Sequence, residues 1–510
     1  MDQRVYLTLD LGTSGCRAAA FTGDGRRLAH RRALYPTETP RPGWVEQDPK
    51  EWEKAALEAL GQVMGDLLAA GISGGDVASL AVTGQMAGLV LVDGEGGHPY
   101  PALPWSDRRA EPVVTRLQAE MGPRYYETTG CHASSVYPAV KLMWIAAGGG
   151  GEELRRAVAA ARWVLSPKDE LLRRLTGSPG TDRSCAVATG LWNLQSDGWD
   201  EALCRMAGVR AEQLPPVLPM TAKGGGMRKE LARRLGLPAG LPVLMGAGDG
   251  VCQNLGVNVM EPGDIALSLG SSGVVRGVTS EPLIDRRPGG PPRVTAYPFV
   301  GGAWVTNGAT ANAAGVFDWL ARILAGGSGL PLEGIDALAP GSENVLFLPY
   351  LAGERSPLWE PSARGVFFGL TGSTRRVHLV RAAVEGVAMA MRRLLDAFRE
   401  HQPPPRQAAL AGGAGTDARI AQILADVLKL PLLRFPEPGL EALRGAAILG
   451  AAAGDGAGDA LADAVRRAAT QINPPVPERF EPRRPGAYDE VYARFVELTD
   501  ALMPLFRRWA

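Results

Sequence analysis

The chain opens with Val5-Tyr6-Leu7-Thr8-Leu9-Asp10-Leu11, β-formers alternating with smaller residues, and turns at Gly12-Thr13-Ser14-Gly15. A second apolar run from Cys16 to Phe21 and another turn at Gly23-Asp24-Gly25 complete the pattern of a hairpin meander. Between residues 49 and 70, Trp52, Ala56, Leu60, Val63 and Leu67 recur at helical spacing. Asp48-Pro49 ahead of them supplies a cap and a first-turn proline. Strand-like runs follow at 77–83 and 88–92, and the middle of the chain alternates helical with strand patterns, as α/β proteins do.

A second section begins near Leu241-Pro242-Val243-Leu244-Met245, an apolar run that ends in Gly246-Ala247-Gly248-Asp249-Gly250 and leads into a predicted helix over 251–257. Shortly after comes Ile265-Ala266-Leu267-Ser268-Leu269-Gly270-Ser271-Ser272-Gly273. Aligned with Leu7 to Gly15, it repeats Leu, Leu, Gly, Ser and Gly at matching positions, a trace of internal duplication. Helical spacing returns at 376–398, through Val380, Val384, Val387, Met391, Leu394 and Phe398. It also appears at 420–428 and at 486–508, the last predicted to dock as a terminal helix. Pro- and Gly-rich stretches at 285–293 and 402–407 read as surface loops.

Composition narrows the partners. A chain of 510 residues is too long for one core, and 54 basic side chains cancel 54 acidic ones. Neither a nucleic acid nor an anionic membrane is indicated, and a small neutral or weakly anionic ligand fits better. The five cysteines are scattered without a CxxC pair, which points to a reducing compartment. Met1-Asp2-Gln3-Arg4 runs straight into a strand with no leader-like apolar core, so the expectation is a soluble, cytoplasmic protein.

The candidate chemistry lies in the turns. In Asp10-Leu11-Gly12-Thr13-Ser14-Gly15 a carboxylate ends a strand, and the glycines and hydroxyls that follow offer donors to phosphate oxygens. The carboxylate of Asp10 is suited to Mg²⁺. The segment is neither a Walker A loop nor GxGxxG. Taken alone it reads as an ordinary hairpin turn with an exposed aspartate. Gly270-Ser271-Ser272-Gly273 offers a second such turn without the acid. Asp249, at a strand-to-helix turn, is either a helix-terminal aspartate or a general base for an attacking hydroxyl. Ala411-Gly412-Gly413-Ala414-Gly415-Thr416, between a strand and a helix, leaves bare backbone for a flat adenine or a phosphate.

Together these segments resemble the FGGY family of carbohydrate kinases, of the actin/hexokinase-like superfamily, over nearly the whole chain. Asp10 to Ser14 is similar to the family's opening phosphate hairpin, and Gly43-Trp44-Val45-Glu46-Gln47-Asp48-Pro49 to its PGWVEQDP segment. Gly246-Ala247-Gly248-Asp249 resembles the catalytic GAGD segment, Leu269 to Gly273 the second phosphate loop, and Gly412-Gly413-Ala414 the adenosine-side turn. Gly365-Val366-Phe367-Phe368-Gly369-Leu370, followed by His378-Leu379-Val380-Arg381-Ala382-Ala383-Val384-Glu385, satisfies the C-terminal signature. Pro138-Ala139-Val140-Lys141-Leu142-Met143-Trp144-Ile145 meets the other signature in part.

The resemblance implies two ribonuclease-H-like α/β domains around a central nucleotide cleft: a sugar-side domain at 1–246, a nucleotide-side domain at 247–485 and a C-terminal helix at 486–510. It implies ATP and Mg²⁺, with Asp10 at the metal and Asp249 as the base. Gly12, Thr13, Ser14, Gly270, Ser271, Ser272, Gly412, Gly413 and Ala414 would hold the nucleotide. Gln85, Met86, Trp105 and Asp107, with Asp249, would meet the sugar. A homodimer is compatible with all of this.

Gly84-Gln85-Met86-Ala87-Gly88 resembles the GQMHG segment of xylulokinases but has Ala87 where they carry histidine. Trp105-Ser106-Asp107-Arg108-Arg109-Ala110 resembles the family's W-x-D-x-R-A stretch. Tyr137 to Leu142 and Gly353-Glu354-Arg355-Ser356-Pro357-Leu358-Trp359 have a gluconokinase character, and Arg108 or Arg355 could pair with a substrate carboxylate. The leading expectation is therefore a kinase of a pentulose such as xylulose. The alternatives are a gluconokinase-like aldonate kinase and, further off, a non-catalytic actin-like sugar sensor.

Overall fold

The computed structural model describes residues 4–286, 290–327, 329–413, 417–453, 459–474 and 477–509. They form two compact units. The first comprises Met1–Asn258, Ala296–Trp304 and Leu440–Pro474; the second comprises Val259–Thr295, Val305–Gly439 and Pro475–Ala510. The return of Leu440–Pro474 to the first unit is something no linear division of the chain expresses.

In the first unit, β1 (Val5–Leu11), β2 (Gly15–Thr22) and β3 (Arg27–Leu34) are the expected meander, and β4 (Val77–Gly84) pairs parallel to β1. β5 (Lys223–Gly226) and β6 (Pro242–Leu244) complete a six-stranded sheet in the order β5-β6-β4-β1-β2-β3, with β6 parallel to β4. β1 is buried along its whole length, which is why its sequence reads as a near-continuous apolar run. The Pro49–Ala69 helix begins where predicted, with the Asp48 carboxylate accepting from Lys50 N, and it lays Trp52, Leu60, Val63 and Leu67 on the sheet.

The second unit repeats the plan. β7 (Ile265–Leu269) forms an antiparallel hairpin with β8 (Gly273–Thr279). On its other side β7 pairs parallel to β9 (Ala408–Ala411), which pairs parallel to β10 (Leu432–Arg434). Each unit thus has a first strand flanked by its hairpin partner on one side and two successive parallel strands on the other. The duplication glimpsed in a few residues is therefore a duplication of topology.

The Arg376–Arg399 helix forms the spine of this unit's core, with Val380, Val384, Val387, Met391, Leu394 and Phe398 all buried. Polar residues of the C-terminal signature serve this helix. His378 Nδ1 accepts the Arg375 N–H at 2.9 Å while the His378 N–H donates to Arg375 O at 3.0 Å, which ties down the first turn. Glu385 Oε1 accepts from Arg381 Nε at 2.6 Å, Tyr488 Oη at 2.9 Å and Gly341 N at 3.2 Å. That buried cluster ties down the start of the terminal helix, Asp489–Arg508, whose Phe495, Thr499, Met503 and Phe506 face inward. No helix among the described residues is long and apolar enough to cross a membrane.

Candidate active site

One candidate site lies at the carboxyl ends of the parallel strands of the first unit, where open α/β sheets bind their ligands. Leu11 at the end of β1 pairs with Gly84 at the end of β4, and Gly84 bridges in parallel to Gly248. Asp10 and Asp249 therefore flank strand ends about 10 Å apart, two strand spacings.

Gly84 sits there because a Cβ would meet Leu11 Cβ at 2.7 Å. Gly246 has φ +63°, and its Cβ would lie 1.7 Å from Val82 O. A side chain at either position would push the strand ends apart.

Asp249 is the first residue of the Asp249–Gly256 helix, not its cap, and its Oδ1 accepts the Gly250 N–H at 2.6 Å. The preceding turn is fixed by side chains from elsewhere in the unit. Thr83 Oγ1 donates to Ala247 O at 2.8 Å, and Ser184 Oγ accepts from Gly248 N at 3.1 Å. Lys168 Nζ donates to Met245 O at 3.0 Å. Met86 packs its sulfur on Gly248, where a Cβ would meet it at 2.1 Å, so Met86 adjoins the turn that carries Asp249.

Asp10 is buried. Its carboxylate lies 2.6 Å from the Arg17 guanidinium, yet neither oxygen accepts a directed hydrogen bond. A buried carboxylate with unspent lone pairs at a strand end suits a hard divalent cation. The hairpin beyond it is anchored from below: Gly12 N donates to Gly15 O at 3.1 Å, Tyr35 Oη to Gly12 O, and Gln47 Nε2 to Thr13 O at 2.9 Å. Burial raises the Tyr35 phenol well above its ordinary range, so it remains a donor. Thr13 and Ser14 stay exposed at the tip.

The sugar-side candidates separate. Trp105 reaches the hairpin, its Nε1 donating to Thr13 Oγ1 at 3.2 Å. Gln85 is buried, its amide directed at Gln47 Oε1 (3.4 Å) and Tyr35 Oη (3.5 Å), within the network under the hairpin. Asp107 is fully buried with both oxygens on Arg109 Nε (3.0 and 2.8 Å) and one accepting Val45 N at 2.8 Å. Arg109 also reaches Glu46 Oε1 at 2.8 Å and lies over the Trp44 ring, 4.0 Å from its centroid. Asp107 thus braces the turn that presents Trp105, with no oxygen left for a ligand.

A separate group of candidate residues lies in the second unit. Gly270, Ser271 and Ser272 turn between β7 and β8, with Gly270 N donating to Ser272 O at 3.1 Å and Ser271 exposed. The Ala314–Ala325 helix starts against this turn: Ala314 N donates to Gly270 O at 2.8 Å and Ala313 N to Ser271 O at 3.2 Å. Gly412 has φ +87°, and its Cβ would meet Leu269 O at 2.7 Å. The structure therefore brings Gly412 and Gly413 beside the Gly270–Ser272 turn, through the pairing of Ser268 with Ala411. Ala414 lies outside the described residues.

Sequence reading missed the supports: Tyr35 and Gln47 under the hairpin, and Lys168 and Ser184 behind the Asp249 turn. Gln47 stands inside a segment already singled out, so a signal was present there. For Lys168 and Ser184 none was, since their role depends on partners more than sixty residues away.

The chain matches two models that cover nearly all of it: the N-terminal domain of the FGGY family of carbohydrate kinases over residues 5–256, and the C-terminal domain of that family over 265–454. It is 30% identical to a gluconokinase of Bacillus subtilis (strain 168) over 458 residues, 87% of this chain and 86% of that protein. It is 31% identical to a xylulose kinase of Escherichia coli (strain K12) over 428 residues, 83% of this chain and 84% of that one. The crystal structure of a xylulose kinase from Rhodospirillum rubrum superposes with a TM-score of 0.86 at 28% identity, covering 99% of this chain and 100% of the other.

Proposed function

The chain belongs to the FGGY family of carbohydrate kinases, and on that premise we propose that it phosphorylates a pentulose such as xylulose, with Asp249 as the base. The observation that carries the reading is the placement of Asp10 and Asp249 at strand ends two spacings apart in one sheet, each beside a turn held by buried partners. A substrate hydroxyl next to Asp249 gives its proton to the carboxylate as its oxygen bonds to the γ-phosphorus of ATP, and the bond to the β-γ bridging oxygen breaks to release ADP. Thr13 and Ser14, and separately Ser271, Ser272, Gly412 and Gly413, are the proposed donors to the nucleotide. Met86 and Trp105 are the proposed walls of the sugar site. Asp10 would hold Mg²⁺, which when bound neutralises phosphate charge. The enzyme would work in the cytoplasm.

Asp10→Asn should raise the Mg²⁺ concentration needed for half-maximal turnover by about 10–100-fold. A Mg²⁺ titration of ATP consumption reads this directly, and an unchanged midpoint would move the metal elsewhere.

The substrate is decided by ATP consumption across D-xylulose, L-xylulose, ribulose, gluconate, erythritol and glycerol. A ketopentose as the preferred acceptor supports the proposal. Gluconate would install the second reading, which the segments at 137–142 and 353–359 and the similarity to a gluconokinase favour. A blank panel with ATP binding intact would leave the sensor. Restoring the side chain by Ala87→His should raise kcat/KM for xylulose at least about tenfold if the missing bond limits the rate. No gain would put the sugar determinant at other residues.

A further inference from the structure

Behind the Asp249 turn lies a cluster that the proposed chemistry leaves unused. Lys168 is fully buried, with Nζ 2.9 Å from Asp169 Oδ1 and 3.1 Å from Asp182 Oδ2. Asp169 is held in turn by Ser166 Oγ and Thr181 Oγ1, each at 2.7 Å. Asp182 caps the Arg183–Val187 helix, its Oδ1 accepting from Ser184 N at 2.8 Å and from the Ser184 hydroxyl. The ligand atoms of Asp169, Asp182 and Cys185 have the mutual spacing of a metal site. The Lys168 ammonium lies within ion-pair distance of both carboxylates, where a cation would sit, and makes the cluster an ion-pair centre.

Two buried carboxylates and one buried ammonium are poor sources of stability compared with apolar side chains of similar size. What this cluster does have is reach. The ammonium donates to Met245 O at 3.0 Å, the start of the turn. Through Asp182 and the Ser184 hydroxyl it also reaches Gly248 N, 3.1 Å from Ser184 Oγ, at the turn's end. Asp249 is the next residue.

We propose that Lys168, Asp182 and Ser184 are positioning residues for Asp249: one buried charge holds both ends of the Met245–Gly248 turn and so fixes where the carboxylate points. The proposal rests on Asp249 being the base. A neutral turn held by backbone alone would leave the carboxylate free to drift, and a displacement near 1 Å is enough to cost about 100-fold in rate.

Ser184→Ala is the sharpest test, because it breaks the link to Gly248 while leaving the Lys168 contacts with Asp169 and Asp182 in place. Its kcat should fall about 10–100-fold, with the sugar KM and the ATP Kd nearly unchanged and the melting temperature lower by only a few degrees. Ser184→Thr, which keeps a hydroxyl, should recover most of the rate. Lys168→Met should lose at least as much, and if it fails to fold the Ser184 pair carries the test alone. In a D249N background, single-turnover measurement should show no further loss from S184A, because the tether acts through the missing base. Wild-type kcat in folded S184A, or an equal additional loss in D249N, overturns the proposal. If D249N itself turns over at the wild-type rate, the base assignment fails first; D249N inactive with S184A unaffected sinks the positioning role alone.

Discussion

Asp249→Asn should lower kcat by about 10²–10⁴-fold, the contribution expected of a positioned general base, while sugar and ATP binding stay close to wild type. In barrier terms that is roughly 3–5 kcal/mol. The amide is chosen over alanine because it nearly matches the carboxylate in volume and can still accept the Gly250 N–H through its oxygen. The helix start then keeps its geometry, and the loss of an anion at a helix N-terminus costs only about 0.3–1 kcal/mol of stability. What disappears is the ability to take a proton from the attacking hydroxyl. Steady-state kinetics by coupled ADP release, with calorimetric binding of ATP and of the preferred sugar, separates the two effects. A kcat within a few-fold of wild type would remove Asp249 from the mechanism. A collapse of sugar binding with kcat preserved would make it a binding group only.

The fold was legible wherever local pattern and tertiary environment agreed. The Pro49–Ala69 and Arg376–Arg399 helices appear within a residue or two of their predicted bounds, because both lay one long apolar stripe on a core and carry local start signals. The two glycine-serine turns were legible as turns, and their kinship was visible because each must leave a buried first strand and reverse into a hairpin. The return of Leu440–Pro474 to the first unit was not legible. Its Glu441–Ala452 helix is buried on nearly every side, so it shows no polar face from which a neighbour could be inferred.

For the site, residue type and turn chemistry pointed to Asp10 and Asp249, but not to the state of each side chain. Asp107 shows the limit. A carboxylate two residues from Trp105 reads from sequence as a sugar ligand, whereas in the fold Arg109 and the Val45 N–H consume both its oxygens. Gln85 is divided, its amide nitrogen directed at Gln47 and Tyr35 under the hairpin while its buried Oε1 accepts no hydrogen bond. Polar residues near a site are divided between ligand and scaffold by burial and by who reaches them first, and both are tertiary facts.

The same distinction yields the second large effect. Gly445→Ala should destabilise the first unit by about 1–3 kcal/mol, the cost of overpacking a tight contact, and lower kcat with it. On an ordinary helix the substitution is favourable by about 0.5–1 kcal/mol, since alanine loses less backbone freedom on folding. Here the Glu441–Ala452 and Asp249–Gly256 helices cross at a reciprocal pair of glycines. A Cβ on Gly445 would lie 1.9 Å from Cys252 O, and one on Gly256 would lie 1.9 Å from Glu441 O. Both obstacles are helical backbone, which cannot swing aside as a side chain can, so the helices must separate. Asp249 begins one of those helices, and a shift of its axis moves the carboxylate off line. Gly65→Ala is the matched control: Gly65 lies in the Pro49–Ala69 helix with nothing within 4 Å of its would-be Cβ, and there the melting temperature should rise slightly. Thermal melts and kcat for the two variants decide the matter. A fall for Gly445→Ala beside a rise for Gly65→Ala establishes the glycine crossing as what seats the catalytic helix, whereas equal behaviour would mean the two helices tolerate separation and the base is placed by its turn alone.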